Sequence, residues 1–277
     1  MAPETLPPLG LIAGRRQFPF MVAQSARAQG RFVAAVGFKG HTDPALAREV
    51  DVYKRIHLGQ FNKLFKFLHR QGVKQVCFAG AIDKPKALDI RPDLRAVKLL
   101  LRIKSRGDDT LLRAVIREIE TEGFEVVQGA DLVPNLRGPL GVLTRRAPSS
   151  EELSNLEYAW SIAKQVGDLD IGQCVVVKKR MVTAVEAIEG TDEAIRRGGE
   201  LGGPGCVVAK TVKPGQDERI DLPALGLKTI DGLIAVKASC LGYEAGKTLF
   251  FDYEESIRRA DEAGLCILGL GPDGKLP

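Results

Sequence analysis

At 277 residues with a formal net charge of +5, from 40 Lys and Arg against 35 Asp and Glu, the chain is long enough for two modest domains and too weakly basic to coat nucleic acid. Its 44% hydrophobic, 27% charged and 6% aromatic residues are those of a folded globular protein and exclude a disordered or fibrous one. No apolar run reaches the ~18 residues of a spanning helix, and Glu4 is acidic where a signal peptide would be basic, so a cytoplasmic protein is expected. The five cysteines, Cys77, Cys174, Cys206, Cys240 and Cys266, sit in apolar strings without a C-x-x-C pair and read as buried, reduced thiols. His41, His57 and His69 have no metal-ligand spacing.

In chain order, residues 9–14 read as a buried strand, 19–29 as a helix stopped by Gly30, and 32–36 as the next strand. Residues 51–58 form a third strand, 61–70 an amphipathic helix ended by Gly72, and 74–79 a further strand. Helical patterns at 94–104 and 110–122 precede a strand at 124–127. This alternation predicts a parallel sheet with helices on both faces.

Pro134, Gly138, Pro139, Gly141 and Pro148 make the densest breaker cluster, and the boundary between two domains, 1–135 and 136–277, is placed there. The cluster is compatible with a hinge or with a fixed linker. Beyond it, 151–166 reads as a helix capped by Ser149 or Ser150, and 174–177 with 181–185 as a hairpin around Lys178-Lys179-Arg180. A helix begins at Thr191, followed by a strand at 205–210, a helix at 229–239, a strand at 247–251, a helix at 253–263 and a last strand at 265–270. The expected fold class is therefore α/β, a Rossmann-like parallel-sheet N-terminal domain followed by a mixed α/β C-terminal domain.

Gly14 ends the first strand just before a helix, where open parallel sheets bind phosphates through backbone amides and the helix dipole, and Arg15, Arg16 and Gln17 follow it. A plain strand-to-helix turn accounts for Gly14 equally well. Gly246-Lys247-Thr248 imitates a phosphate-binding loop, but its upstream glycine is one residue too close and strand-like residues follow, so a turn is the better reading.

Glu186, Glu189 and Asp192 lie within seven residues, and Asp217, Arg219 and Asp221 form a second acidic segment. Such carboxylates suit a hard cation such as Mg²⁺; they equally suit a helix cap and a solvated loop. With Lys210, Lys213 and Arg219 as donors, the set fits phosphoryl transfer, in which cations neutralise developing charge and a carboxylate directs water.

The order of motifs narrows this. Leu-Gly-Leu-Ile-Ala-Gly14, Phe-Ala-Gly80-Ala-Ile-Asp-Lys-Pro85, Arg91-Pro-Asp93, Gly107-Asp-Asp109, Asp170-Ile-Gly-Gln173, Ala187-Ile-Glu-Gly-Thr-Asp192, Arg196-Arg197-Gly198 and Gln216-Asp-Glu-Arg-Ile-Asp-Leu-Pro223 resemble, in order, the LpxI family of UDP-2,3-diacylglucosamine pyrophosphatases. The resemblance implies a Mg²⁺-dependent hydrolase of lipid A biosynthesis that cleaves UDP-2,3-diacylglucosamine to UMP and 2,3-diacylglucosamine 1-phosphate (lipid X), with the lipid held between two domains. It implies Asp221 and Asp217 as catalytic carboxylates, Asp192, Glu189 and Asp221 as metal ligands, and Gln173, Thr191, Lys210 and Arg219 at phosphates or sugar. Gly14, Gln17, Gly80 and Asp109 fall on its nucleotide side. One departure stands out: where the family tends to a glycine run, this chain has Gly14-Arg15-Arg16.

A diacylated substrate requires an apolar groove, for which 225–235 and 241–251 are the candidates, and transient contact with the cytoplasmic face of the inner membrane, for which Arg145-Arg146 or Lys178-Lys179-Arg180 are. A nucleotide-dependent oxidoreductase or transferase and a non-catalytic nucleotide-sugar or lipid-binding protein are the rival readings. No nucleic-acid partner is expected, and a homo-oligomer is compatible with the sequence.

Overall fold

The computed structural model describes residues 6–82, 90–102, 108–214, 217–219 and 222–276, the side chains of 108 and 109 excepted. By internal contacts the chain divides into two units, Met1–Pro134 with Asp217–Ile220, and Asn135–Gln216 with Asp221–Pro277.

In the first unit, strands β1 (Leu9–Ala13), β2 (Val33–Phe38), β3 (Val52–Ile56), β4 (Gln75–Ala79) and β5 (Glu125–Val127) form one sheet in the order β3-β2-β1-β4-β5. Every pairing is parallel. β1 and β2 are buried at every position, as strands covered on both faces must be. Strand alternation sends Leu9, Leu11, Ala13, Val33 and Ala35 to one face, where they meet Val22, Ala23 and Ala26 of α1 (Phe18–Ala28). Ile12, Ala34, Val36 and Val76 turn to the other, against α2 (Phe61–Arg70) and α4 (Asp108–Thr121). Between them in sequence lies α3 (Leu94–Arg102), which packs on α2 and α4.

The second unit begins with β6 (Gly141–Val142) and α5 (Ser150–Asp168), followed by the hairpin β7 (Cys174–Lys178) and β8 (Met181–Val185). Next come α6 (Thr191–Gly202), β9 (Val207–Lys210), β10 (Ala224–Leu225), α7 (Leu227–Ala235), β11 (Cys240–Glu244), β12 (Leu249–Phe250), α8 (Tyr253–Ala263) and β13 (Cys266–Leu270). The main sheet runs β6-β13-β11-β9-β7-β8. β9, β11 and β13 are mutually parallel, whereas β7 joins β9 antiparallel and β6 joins β13 antiparallel, so the sheet is mixed. α5 covers one face through Leu156, Ala159, Trp160 and Ala163. Ile195 of α6, Ile230 and Leu233 of α7 and Ala260 of α8 cover the other. The β7–β8 turn places Lys179 and Arg180 at φ 48° and 57°, the paired left-handed residues of a tight hairpin that follows strand twist.

Gly138 lets the chain close on β11, since a Cβ there would lie 2.5 Å from the Tyr243 ring, and the Tyr243 hydroxyl donates to the Pro139 carbonyl at 2.5 Å. Segments 225–235 and 241–251 supply no acyl groove of their own, because Leu225, Ile230, Leu233, Leu241, Tyr243 and Phe250 are all core. The basic clusters are divided: Arg145, Lys179 and Arg180 are exposed, whereas Arg146 and Lys178 bind carbonyls within the unit. Arg146 is an internal staple, donating to Glu152 Oε2 at 2.8 Å and Oε1 at 2.9 Å, to the Gly264 carbonyl at 2.8 Å and to the Ser239 carbonyl. Lys178 donates to the Pro204 and Gly205 carbonyls, and Arg180 lies over the Tyr158 ring.

Ser149 and Glu152 form a reciprocal capping box at the start of α5, so Glu152 serves both the helix amide and Arg146. Burial opposes its charge, but Arg146 and the Ser149 amide outweigh that and hold the carboxyl at about 2, against an ordinary 4.5. A depressed folded-state value contributes stability that is complete above ~4.5 and is lost as pH falls toward about 2. Glu152→Gln should therefore destabilise the protein by about 1–3 kcal/mol at neutral pH. Its melting temperature should converge on wild type in that acid window, and a gap independent of pH would show that the carboxylate charge contributes nothing.

Candidate functional site

Parallel strands share a direction, so their carboxyl ends and the loops that follow them gather at one edge of a sheet, the usual ligand edge of open α/β sheets. In the second unit the end of β9 at Lys210 is paired with Cys174, the start of β7, and with Tyr243 near the end of β11. Val185, the last residue of β8, is paired with Val175. Four segments therefore converge there: Asp170 to Gln173 entering β7, Glu186 to Asp192 leaving β8, Lys210 to Lys213 leaving β9, and Glu244 ending β11.

Glu186 organises this edge. It is 7% exposed, its Oε1 accepts from the Thr191 hydroxyl at 2.9 Å, and its Oε2 accepts from the Gln173 amide at 3.3 Å. Gly172 makes the approach possible, since a Cβ there would lie 2.0 Å from the Glu186 carbonyl oxygen. The Thr211 amide donates to the Gln173 carbonyl, tying the β9 exit to the β7 entry. Lys210 is 4% exposed and donates to the Ala224 carbonyl at 2.7 Å, using one of the three donors of its ammonium. Deeper along the edge, buried Glu244 accepts from Lys164 at 2.5 Å and from the Val212 amide at 3.0 Å.

Asp192 stands in the first turn of α6, where the helix dipole favours an anion. It accepts from the Thr229 hydroxyl at 3.0 Å and pairs with Lys228 at 2.8 Å. Burial opposes its charge, yet Lys228 and Thr229 prevail and its carboxyl stays below the usual range. Two buried polar atoms at the same edge, Gln173 Oε1 and Thr211 Oγ1, have no partner among the described residues. An unpaired buried polar atom is costly, so it marks a place for a partner that the described residues do not supply.

Thus the structure brings together Gln173, Thr191, Asp192 and Lys210 from the sequence-derived set. Glu189 is not with them: it pairs with Arg197 at 2.6 Å and accepts from the Ala187 amide on the surface. Glu186, Thr211, Lys228, Thr229 and Glu244 complete the edge. Among these, the acidic pattern included Glu186, and position immediately after Lys210 was the available sign for Thr211.

In the first unit, Gly14 and Gly80 leave β1 and β4, the strands at which the 3-2-1-4-5 order reverses. They pack backbone to backbone: a Cβ on Gly14 would lie 2.4 Å from the Ala81 oxygen, and one on Gly80, at φ +84°, 2.3 Å from the Arg15 oxygen. Several of the backbone amides that follow β1 are engaged within the chain. The Gly14 and Arg15 amides donate to the Ala79 and Ala81 carbonyls, Pro19 has no amide hydrogen, and the Phe20 amide turns back to Gln17. Gln17 caps α1 only through its backbone, with no side-chain cap bond.

Asp217 and Arg219 form a bidentate pair, with distances of 2.9 and 2.7 Å, that lowers the Asp217 carboxyl. Arg219 also meets Glu120 at 2.7 Å, and Gln128 donates to the Glu218 carbonyl at 2.8 Å, which assigns this segment to the first unit. Asp221 and the Asp109 side chain lie outside the described residues.

No group of three His, Cys, Asp or Glu suited to a metal is present among the described residues. Asp192 and Glu189 are each paired with a cationic side chain, so a Mg²⁺ donor set at either would have to displace Lys228 or Arg197.

Two family models match the chain, the LpxI N-terminal domain over residues 8–136 and the LpxI C-terminal domain over 139–268. The UDP-2,3-diacylglucosamine pyrophosphatase LpxI of Caulobacter vibrioides is 38% identical over 277 residues, covering 95% of this chain and 98% of that protein. A bifunctional purine biosynthesis protein PurH of Paracoccus denitrificans matches at 35% over 92 residues, 32% of this chain and 17% of that protein. Two solved N5-carboxyaminoimidazole ribonucleotide synthetases, one in an ADP complex and one from Staphylococcus aureus, are 12% and 14% identical. They cover 70% and 71% of this chain and 45% and 44% of their own, with TM-scores of 0.27 and 0.24, too low to support a shared fold. With both domain models in order and identity extending from end to end, the chain belongs to the LpxI family.

Proposed function

We propose that this protein hydrolyses the pyrophosphate of UDP-2,3-diacylglucosamine, giving UMP and 2,3-diacylglucosamine 1-phosphate within lipid A biosynthesis. The end-to-end relation to a curated pyrophosphatase of that substrate carries this reading. It displaces the oxidoreductase and pure binding-protein alternatives. In the reaction, one P–O bond of the bridge breaks and a water oxygen bonds to the attacked phosphorus, which we assign to the sugar side. The UMP phosphate leaves with the bridging oxygen.

The chemistry asks for donors around oxygens that gain charge, and for a base toward water. Lys210 is the donor we assign to a phosphate oxygen, because its ammonium is buried at the edge where Gln173 and Thr191 also converge. Gln173 Oε1 and Thr211 Oγ1 suit hydroxyls of a sugar or nucleoside. Asp221 is the water-directing carboxylate, a role that rests on the family resemblance. Mg²⁺ dependence rests on the same resemblance and on the charge of a pyrophosphate; no step above is routed through the ion.

Pure protein incubated with UDP-2,3-diacylglucosamine should yield UMP and the sugar 1-phosphate by mass spectrometry, and tight binding without either product would refute the activity. In heavy-oxygen water the label should enter the sugar phosphate; label in UMP would reassign the attacked phosphorus. Asp221→Asn should lower kcat by about 10²-fold or more with the fold intact, and Lys210→Met by about 10²-fold. Near-normal turnover in either variant removes that residue from the chemistry. Chelation should abolish turnover and added Mg²⁺ restore it, whereas full activity in chelator would end the metal proposal.

A further inference from the structure

Helix α3 has two apolar sides, although it has only one core to face. Ala96 and Leu99 are buried at 3% and 8% exposure against the first unit. On the opposite side Leu94, Val97 and Leu101, spaced i, i+3, i+7, are exposed at 79%, 40% and 82%, with Leu100 beside them at 52%. Isolated exposed leucines are ordinary; a stripe of them along one nine-residue helix is not.

The charges beside the stripe have one sign. Lys98 and Arg102 are exposed one turn apart, and the sequence from 94 to 102 contains no acidic residue. Arg95, on the core-ward flank, is already neutralised by Glu118 at 2.9 Å and Glu122 at 2.6 Å. Next to this face, a groove of about 540 Å³ runs between α3 and α4, lined by Leu99, Arg102, Arg113 and Arg117, with Glu118 as the one carboxylate among the described residues. Guanidinium groups over a phosphate and an apolar stripe against acyl chains make an interfacial helix.

We infer that α3 is a membrane-docking helix that seats Leu94, Val97 and Leu101 among the acyl chains of an anionic phospholipid surface, while Lys98 and Arg102 meet its headgroup phosphates. A second copy of the chain is a poorer occupant. On a two-fold axis it would bring Lys98 and Arg102 against their own equivalents with no acidic residue of α3 to meet them. Among the described residues no helix is long and apolar enough to cross a membrane, so contact through this face would be peripheral. The inference rests on this surface and does not depend on the proposed catalytic activity.

The test is co-sedimentation of the full-length protein with vesicles of phosphatidylcholine containing about 30 mol% phosphatidylglycerol, against phosphatidylcholine alone. Wild type should pellet with the anionic vesicles, weakly with the neutral ones, and less as salt rises toward about 0.5 M. The double variant Leu94→Gln, Leu101→Gln, at exposed positions and with good helix formers, should lose about tenfold or more of that binding with an unchanged melting temperature. Lys98→Glu should weaken it severalfold on anionic vesicles only. Equal partitioning of wild type and the double variant, or binding indifferent to phosphatidylglycerol, would overturn the inference. So would a wild-type dimer in sedimentation that the double variant abolishes while neither protein binds vesicles, since the face would then serve self-association.

Discussion

Strand direction is the constraint on which the second unit's polar edge depends. β9 and β11 run parallel and β7 runs against them, so the start of β7, the end of β9 and the end of β11 fall at one edge of the sheet. Reversing β7 would carry Gln173 about five residues' length to the far edge, ~17 Å away at the usual rise per residue. The hairpin turn at Lys179 and Arg180 then returns the chain so that Glu186 arrives opposite Gln173. A long-range topology, not local sequence, thus assembles Gln173, Glu186, Thr191, Lys210 and Thr211.

Convergence alone would leave backbones too far apart for hydrogen bonding, and glycines close the gaps. Gly172 lets the β7 entry reach the Glu186 carbonyl, and Gly198 and Gly199 let α6 lie against Val176 and Val236. In the first unit Gly14 and Gly80 do the same between the exits of β1 and β4. There the Gly14 and Arg15 amides donate to the Ala79 and Ala81 carbonyls. Arg16, at φ 72°, turns the chain toward α1.

Much of the architecture was legible because parallel strands covered on both faces leave continuous apolar runs, as β1 and β2 do, and because amphipathic helices such as α2 keep a 3.6-residue period. Ser149 as a cap was legible from its spacing to Glu152. Two-residue strands such as β6 and β10 are too short for any period, and β6 hides inside the breaker cluster. The site was legible only in part. Residue type marked Gln173, Thr191, Asp192 and Lys210, but the partners that give most of them roles lie far along the chain, 37 positions away for Thr229 and Asp192. For the same reason Arg146 resembled surface charge until Glu152, Ser239 and Gly264 surrounded it. Nor does any local pattern announce that Asp217 and Arg219 belong with Glu120 and Gln128 of the first unit.

Charge bookkeeping at the polar edge bears on how a pyrophosphate would be accommodated. Three of the acidic residues that the sequence offered carry a basic partner: Lys228 on Asp192, Arg197 on Glu189, Arg219 on Asp217. A divalent ion at any of them must compete with a covalently tethered ammonium or guanidinium, whose effective concentration is high. Glu186 differs, since its described bonds come from a neutral hydroxyl and a neutral amide. An anionic substrate arriving at Lys210 and Lys228 would weaken the Lys228–Asp192 attraction by offering the same cation a second anion. Were the proposed phosphates to bind there, their charge and the availability of Asp192 would be coupled through Lys228.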